Sequence, residues 1–332
     1  MQRCVLAIGV LSAMFANSAS AYNLFGPYPW GDDATYYEKW GDIFTVGEPA
    51  GTITWSIIPD GTPLDPSFPD PNITGTSSLG AILSELGEAE AVATIERVLA
   101  KWSTAANIYF VQVSDSGEPV NSAGAQPRAT GQIRFGAFEI TGTTGAVGYA
   151  PFPGGESREG DVLLNSNNTF FFDPGGEGDP IQIFNDLESL LLHEVGHALG
   201  MAHSDVCAVM SADFNCFQYV NRELDPDDIA GIEFLYGPAV KSDFDHDNYA
   251  TAADLAVWET HFGSTTATAI AGDATGEGLV SGDDFLLWQR EYAPPPAELA
   301  ATPEPTSALL ATLAWVGLGL RRFLTRSAVR TA

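Results

Sequence analysis

Three histidines and a glutamate lie close together in the chain, at a spacing that suits a catalytic metal. His193, Glu194, His197, Gly200 and His203 form the pattern His-Glu-x-x-His-x-x-Gly-x-x-His. Because residues four apart lie on one face of a helix, His193 and His197 can direct ring nitrogens at one ion. The carboxylate of Glu194 can then reach a water held by that ion without becoming a ligand. Gly200 can adopt the left-handed conformation that ends the helix, so that the returning chain brings in His203.

Three protein ligands leave one tetrahedral position open, which distinguishes a catalytic zinc site from a closed structural one. The alternative is a buried amphipathic helix that carries histidines by chance. The chain has only five histidines, and three of them fall in this motif. Since five fixed positions are more specific than a bare His-Glu-x-x-His pair, the sequence favours the zinc site.

The helix that carries the motif has start signals and an apolar surface. Asn185 and Glu188 form a capping-box pattern, and Asp186 lies where the helix dipole favours an acidic residue. Apolar side chains cover most of the circumference, at Leu187, Leu190, Leu191, Leu192, Val195 and Leu199. A helix that is apolar nearly all round is buried, so Glu194 needs a partner such as a water on a metal.

Further elements are predicted on the N-terminal side of the motif. Alternating Ile53, Trp55 and Ile57 predict a strand over residues 52–58. Apolar residues at three- and four-residue spacing predict a long amphipathic helix from about Ala81 to Ala106. Two more strands are predicted at residues 108–113 and 132–140.

The long motif followed by Ala208-Val209-Met210 resembles the signature of metzincin peptidases, which have a methionine turn. Ser204 after the third histidine is similar to the matrixin branch, and residues 224–237 resemble the closing helix of matrixin catalytic domains. The resemblance covers roughly residues 50–237. It implies an α+β metzincin fold with a twisted, mostly parallel sheet of about five strands and about three helices. It also implies a zinc endopeptidase, with Glu194 as general base and Met210 as a hydrophobic floor beneath the ligands.

The resemblance extends to one edge of the sheet, where it implies a site for substrate. Residues 147–150 are similar to a metzincin edge strand, along which a substrate backbone can pair, and residues 161–165 would be a short parallel strand beside it. The loop between them resembles a matrixin loop but lacks the histidines that hold a second, structural zinc in many matrixins. Glu156, Glu159 and Asp161 are candidate calcium ligands there, and solvated turn carboxylates are the alternative.

Charge and composition limit the possible partners. The 332-residue chain has a formal net charge of −29. Between Tyr22 and Thr302, nine Lys and Arg face 42 Asp and Glu, a net charge of −33. Such a body repels nucleic acid and anionic membrane, so no nucleic-acid partner is expected.

The N-terminus predicts export. Residues 1–21 carry Arg3, an apolar run from Val5 to Phe15 and a small-residue cleavage site, as in a signal peptide. An uncleaved membrane anchor is the competing interpretation, but the apolar run is short for one. Since Cys4 would leave with this peptide, Cys207 and Cys216 remain as a possible disulfide on either side of Met210. Two buried thiols are the alternative.

Residues 22–50, here called the lead segment, are aromatic and rich in Gly and Pro. Matrixins commonly carry a prodomain whose cysteine occupies the zinc, and the lead segment has no cysteine. The enzyme is therefore made active, or another group blocks the metal. Asp32 or Asp33 is the candidate for such a block. The protease domain would then span residues 51–237.

A second module is predicted over residues 241–292. Carboxylates stand at positions one, three, five and twelve of a calcium loop at Asp243, Asp245, Asp247 and Asp254. The same frame recurs thirty residues later at Asp273, Thr275, Glu277 and Asp284. The duplicated loop-helix pattern resembles a type I dockerin, which implies a small all-α calcium module and a cohesin-type partner. A solvated acidic linker is the alternative.

The C-terminal end is predicted to be a linker, residues 293–302, followed by a sorting tail, residues 303–332. Pro303-Glu304-Pro305, an apolar run and Arg321-Arg322 resemble a PEP-CTERM tail of bacterial exported proteins. That resemblance implies recognition by exosortase-type sorting machinery and cleavage near the motif, with a permanent anchor as the alternative. Both place the protein outside the cytoplasm of a bacterial cell.

Together these features predict an exported zinc metalloendopeptidase that acts on proteins or peptides. The alternative is a calcium-dependent, cohesin-binding or scaffold protein whose protease fold is inert. The complete zinc constellation argues against an inert fold, since such a protein has no reason to keep Glu194. An exopeptidase of gluzincin type would need a distant glutamate as third ligand, and His203 makes this a poor fit.

Overall fold

The computed structural model describes residues 21–123, 130–152, 157–180, 185–213, 215–216 and 219–293. The chain divides into two compact units, the first ending at Lys241 and also including residues 246–248. Among the described residues, none of the helices has the length and apolar character needed to cross a membrane. The predicted signal peptide and sorting tail lie outside the described residues, apart from residue 21.

A six-stranded sheet forms one layer of the first unit. Its strands are β4 (Thr52–Ile57), β5 (Ile73–Thr74), β6 (Tyr109–Gln112), β7 (Ile133–Ile140), β8 (Ala146–Gly148) and β9 (Val162–Asn165). The order is β6-β4-β7-β9-β8, with β5 paired to β7. The pairs within β6-β4-β7-β9 are parallel, whereas β8 is antiparallel to β9. The prediction that residues 161–165 run parallel to the edge strand was therefore wrong, although β9 is parallel to β7.

Helices of the first unit pack against this sheet around one apolar core. The predicted long helix is two helices, α1 (Leu79–Leu86) and α2 (Glu88–Ala105). Gly87 separates them with a φ of 94°, a conformation that a helix cannot contain. Their buried residues join the core cluster with Trp55, Phe135 and Val162 from the sheet.

The motif helix, α3 (Leu187–Ala198), is buried along its whole length, as its apolar circumference predicts. Its N-cap is Asp186 rather than Asn185, because the Asp186 carboxylate accepts a hydrogen bond from the Ser189 N–H at 3.0 Å. Asn185 instead donates through Nδ2 to Thr169 O. The capping-box assignment to Asn185 and Glu188 was therefore wrong by one residue, and Glu188 pairs with Lys101 of α2 at 2.9 Å.

The lead segment is part of the first unit. Its strand β1 (Asn23–Leu24) pairs antiparallel with β10 (Met201–Ala202), which directly follows the motif helix. A hairpin of β2 (Tyr28–Trp30) and β3 (Ala34–Tyr36) comes next. Five of its side chains pack against the core, namely Tyr22, Leu24, Tyr37, Trp40 and Ala50. The lead segment is thus a structural layer of the unit.

The second unit contains two helices, α5 (Ala252–His261) and α6 (Gly282–Glu291), and a short 3-10 helix, Ala269–Ala271. The repeat in the sequence of this unit is matched by equivalent hydrogen bonds between the two helices. Trp258 Nε1 donates to Ser281 O at 2.9 Å, and Trp288 Nε1 donates to Thr251 O at 2.8 Å. Since Thr251 and Ser281 are the two N-caps, each helix binds the start of the other.

Candidate metal centre

The three motif histidines converge on one point. Each of His193, His197 and His203 offers a ring nitrogen, and these nitrogens all lie within 4.8 Å of one another. The Nε2 atoms of His197 and His203 are 3.2 Å apart. Two ligand nitrogens about 2.0–2.1 Å from a tetrahedral zinc have this order of separation. The donor set therefore fits zinc in both chemistry and spacing.

Backbone carbonyls orient the two helical histidines. His193 Nδ1 contacts Val209 O at 2.7 Å, and His197 Nδ1 contacts Met201 O at 2.8 Å. Such a bond fixes the tautomer and makes Nε2 the ligand atom of the ring. Burial lowers the pKa of both rings to about 4. Both rings are therefore neutral at neutral pH, as a metal ligand must be.

Glu194 lies beside the ligands in a buried position. It is 6% exposed, next to His193 on α3. Burial raises the pKa of its carboxyl, and the charge of His197 and a backbone hydrogen bond from Gly148 oppose that change. Since a carboxylate can accept several hydrogen bonds and the backbone of Gly148 supplies one, the group can also accept from a water at the metal.

Gly200 turns the chain toward the third ligand. Its φ is 99°, in the region that favours glycine, and a Cβ there would collide with Glu38 O of the lead segment. The chain then continues through β10 to His203, which is the exposed member of the three ligands. Gly200 is thus required both for the turn and for the close approach of the lead segment.

A methionine turn lies beneath the motif helix. A Cβ added at Gly196 would collide with Met210 Sδ, so the thioether packs directly on the helix between His193 and His197. Met210 is fully buried. Asp228 of α4 (Pro226–Tyr236) accepts hydrogen bonds from Val209 N and Met210 N, both at 3.0 Å. Burial raises the pKa of Asp228 to about 6, against the effect of these backbone donors.

A disulfide closes the loop around Met210. Cys207 and Cys216 are bonded, with their Cα atoms 5.4 Å apart and a sequence separation of 9. Ser204, which precedes this loop, donates through its backbone N to Met210 O at 2.7 Å. The methionine turn is therefore held by α4, by the chain after the third ligand and by a covalent link.

The edge strand β8 lies beside the motif helix. A Cβ at Gly148 would collide with Glu194 O, so strand and helix are in direct contact. Because β8 pairs on one side with β9 and ends the strand order, its other side is an edge of the sheet. The predicted substrate edge therefore lies next to the catalytic candidate Glu194.

Other predicted residues have different surroundings. Asp32 and Asp33 are exposed at the turn of the β2–β3 hairpin, and the described metal-binding group at the motif contains only the three histidines. The structure thus gives no support to a carboxylate block of the metal. Glu156 lies outside the described residues, and Asp161 is buried, with its carboxylate accepting from Arg134 N at 3.2 Å.

The first predicted calcium loop brings some of its carboxylates together. Asp243, Asp245 and Asp254 each offer an oxygen within 4.8 Å of the others, and Asp247 is not in this group. In the second loop, Thr275 Oγ1 lies 3.3 Å from Asp273 Oδ1 and 3.0 Å from Asp284 Oδ1.

Asp254 and Asp284, at position twelve of the two loops, also cap the helices that follow, which the calcium pattern does not predict. Asp254 accepts from Thr251 N at 2.7 Å, and Asp284 accepts from Ser281 N at 2.7 Å. Each therefore completes the capping box of its helix. The Thr-x-x-Asp and Ser-x-x-Asp spacing is the sequence signal that was missed. Glu277 accepts from Ser281 Oγ at 3.1 Å.

Sequence reasoning also missed the residues that support the ligands. Asp227 accepts from Ser204 Oγ at 2.6 Å, directly after the third histidine. Asn23 Nδ2 donates to His203 O at 2.9 Å. Asp186 forms an ion pair with Arg222. The adjacent Asp227 and Asp228 at the start of α4 are a sequence signal that could have drawn attention to Asp227. No local pattern in the sequence links Asn23 to His203, which lies 180 positions away.

A family model described as Matrixin matches residues 76–237, which contain most of the sheet, the motif helix and the methionine turn. This part of the chain is therefore similar to matrixin domains, and its mixed sheet and helices are consistent with an α+β fold. Homology within this family supports a metallopeptidase that uses zinc.

The relatives of this chain include two matrix metalloproteinases and a hatching enzyme. The chain is 28% identical over 169 residues to Matrix metalloproteinase-16 of Homo sapiens, covering 50% of this chain and 27% of that protein. It is 28% identical over 168 residues to the hatching enzyme of Paracentrotus lividus, covering 49% of this chain and 25% of that protein. For Matrix metalloproteinase-20 of Homo sapiens the identity is 29% over 166 residues, with 50% and 32% covered. The chain thus spans about a quarter to a third of the length of these relatives.

Proposed function

We propose that this chain is an exported zinc-dependent metalloendopeptidase that hydrolyses peptide bonds in proteins or peptides. The observation that carries the proposal is the convergence of three histidine nitrogens within 4.8 Å, beside a buried glutamate. The matrixin match adds support from homology. A calcium-dependent binding protein with an inert protease fold is not favoured, because the chain keeps both the three convergent histidines and the buried Glu194.

In the proposed mechanism, His193, His197 and His203 hold the zinc. Zinc, when bound, supplies Lewis acidity, which acidifies a water and polarises a carbonyl. Glu194 accepts the proton of the attacking water and passes it to the leaving amine. The edge of β8 pairs with the substrate backbone and orients the scissile bond next to Glu194. Met210 supports the helix from below.

The proposal is tested with the full chain and two matched variants. Glu194→Gln keeps the shape of the side chain but removes the base, and Glu96→Gln makes the same change at an exposed site on α2. We expect zinc near one ion per chain in all three proteins. Hydrolysis of a mixed protein substrate should fall by about 10²–10⁴-fold in Glu194→Gln only, the range typical of a lost general base.

Two results would contradict the proposed activity, and a third would contradict the role of Glu194. A wild-type chain that binds no zinc would refute the metal centre. Zinc binding with no hydrolysis by the wild type would leave a binding protein as the better interpretation. Full activity in Glu194→Gln would remove Glu194 from the mechanism.

We also propose that the protein acts outside the cytoplasm of a bacterial cell. Support comes from the signal-peptide pattern, from the tail that resembles a PEP-CTERM segment, and from the Cys207–Cys216 disulfide, since disulfides persist in oxidising compartments. An exosortase-type machinery would then process the tail. Fractionation of a producing cell, with mass measurement of the released chain, would contradict this proposal if the uncut chain stayed in the cytoplasm.

We further propose that the second unit binds calcium and a cohesin-type partner. The cluster of Asp243, Asp245 and Asp254 supports the calcium part, because hard oxygen ligands suit this ion. Calorimetric titration of the full chain with Ca²⁺ should show binding that Asp245→Asn weakens. Asp42→Asn, an exposed aspartate of the lead segment, is the control. Equal binding by all three proteins, or none, would contradict the proposal.

A further inference from the structure

The backbone around the third histidine is held by residues outside the part of the chain that matches the matrixin family. β1 pairs antiparallel with β10, which places Asn23 opposite Ala202. Phe25 N donates to Gly200 O at 3.0 Å. Asn23 Nδ2 donates to His203 O at 2.9 Å. The lead segment therefore accompanies the chain from the end of the motif helix to the third ligand.

His203 has more need of such support than the other two ligands. His193 and His197 are fixed by α3, and each ring nitrogen Nδ1 contacts a backbone carbonyl. His203 follows a two-residue strand and is exposed. Among the described residues, no hydrogen bond reaches its Nδ1. The position of its Nε2 therefore depends on where the backbone holds the residue.

Contacts on the other side of His203 act on the next residue. Ser204 N donates to Met210 O at 2.7 Å, and Ser204 Oγ donates to Asp227 Oδ2 at 2.6 Å. These bonds fix the chain after the ligand but not the ligand's own carbonyl. The Asn23 amide binds that carbonyl directly, so it completes the support of the loop.

We propose that Asn23 is a positioning residue for the zinc centre, whose side-chain amide holds the backbone of His203 where its ring can ligate. The inference rests on the proposed function only in requiring that the three histidines bind zinc. The chemistry is specific, because an amide N–H can donate to a carbonyl whereas a carboxylate cannot. Residues that support ligands in this way contribute to metal affinity although they do not touch the metal.

The test compares isosteric variants of the full chain. Asn23→Asp keeps the shape of the side chain and removes the donor, and Asn23→Ala removes both. Asn185→Asp is the matched control, since Asn185 Nδ2 donates to Thr169 O at 2.7 Å in an interaction of the same type away from the ligands. Zinc affinity is measured by competition with a chelating dye. The visible absorption of the Co²⁺-loaded protein reports the geometry of the ligands.

We expect both Asn23 variants to bind zinc about tenfold more weakly than the wild type, the lower end of the range for residues that support ligands. Their cobalt absorption bands should shift, while the unfolding midpoint of the metal-free protein stays close to that of Asn185→Asp. The control should keep wild-type zinc affinity and the wild-type cobalt spectrum.

Wild-type affinity and spectra in both Asn23 variants would overturn the inference, and so would an equal loss of affinity in Asn185→Asp. If Asn23→Asp behaves as wild type and Asn23→Ala does not, side-chain volume rather than the amide donor is responsible, and the inference is also wrong. A wild-type chain without zinc refutes both this inference and the proposed metal centre. A wild type that holds zinc but cuts no protein refutes only the peptidase activity, because metal binding still decides the role of Asn23.

Discussion

At the scale of single residues, Lys39 of the lead segment is a buried charged group outside the metal centre. Its side chain is 2% exposed, and Nζ donates to Thr45 O at 3.1 Å and Glu48 O at 3.2 Å. It also lies 5.0 Å from the centre of the Tyr236 ring. Burial lowers the pKa of this amine to about 8, although the charges of Asp42 and Glu48 oppose the change.

This pKa predicts a pH-dependent stability. Between about pH 8 and the ordinary lysine value of 10.5, the unfolded chain binds a proton that the folded chain does not. The free energy of unfolding contributed by Lys39 therefore rises with pH in this window. Between about pH 8 and 10.5, we expect the free energy of unfolding of the wild type to rise by about 2 kcal/mol relative to that of Lys39→Met. This value allows for screening by nearby solvent.

Urea unfolding of both proteins between pH 7.5 and 10.5 measures this difference. Lys39→Arg is the control, since arginine stays charged throughout this range and removes the pH-dependent contribution without removing the charge. Parallel stability profiles for wild type and Lys39→Met would show that Lys39 titrates alike in the folded and unfolded chains.

The residues of the metal centre were predictable from sequence because their spacing is local. His193, Glu194 and His197 lie within one helical segment, so the helix period alone places them together. Gly200 was found from its place in the motif, and Met210 was found through the resemblance to metzincins. Asn23 was not predicted, because its contact with His203 depends on how two distant segments pack.

At the scale of secondary structure elements, the pattern of apolar residues predicted the bounds of strands β4, β6 and β7 to within about two residues. This is the usual uncertainty of element boundaries. The break of the long helix at Gly87 was missed, because a single glycine inside an apolar pattern is often tolerated. The direction of β8 against β9 was also missed. Strand alternation carries no information on whether neighbours run parallel, and the connecting loop decides it.

The two helices of the second unit allow a prediction at this scale. Trp258 and Trp288 make equivalent hydrogen bonds to the N-cap residues of the opposite helices. Replacing either indole by phenylalanine leaves a carbonyl without its donor and should lower local stability by about 1 kcal/mol. Because the surroundings repeat, the two variants should lose nearly equal amounts.

Hydrogen exchange of the full chain, followed in peptides that cover α5 and α6, measures these losses separately for each helix. Trp30→Phe is the control, since Trp30 is 50% exposed on the lead hairpin. A loss in Trp258→Phe that exceeds the loss in Trp288→Phe several-fold would show that the repeat in sequence is not a repeat in energetics.

At the scale of the whole molecule, the lead segment changes the interpretation of the N-terminal region. Because the lead segment lacks the prodomain cysteine of matrixins, the sequence left two alternatives, an enzyme made in active form or a block of the metal by Asp32 or Asp33. In the structure both carboxylates are exposed, while Trp40 Nε1 donates to Ala198 O at 2.9 Å at the end of the motif helix. Packing of an aromatic segment onto its own core cannot be read from composition, because the same residues also suit a detachable prodomain.

Deleting residues 22–50 should therefore inactivate the protein rather than activate it. The deletion removes β1 from β10 and uncovers the core beneath Tyr22, Leu24, Tyr37 and Trp40. Each large apolar side chain contributes about 1.5–3 kcal/mol when fully buried, so the partly buried set amounts to about 5 kcal/mol, comparable with the stability of a whole domain.

Asp32→Asn/Asp33→Asn separates this effect from unblocking, because it removes both carboxylates and leaves the packing intact. We expect wild-type unfolding and hydrolysis in the double variant, and loss of both in the deletion. Higher activity in the double variant than in the wild type would support a block of the metal by these carboxylates. A deletion variant that folds and is active would show that the lead segment is dispensable.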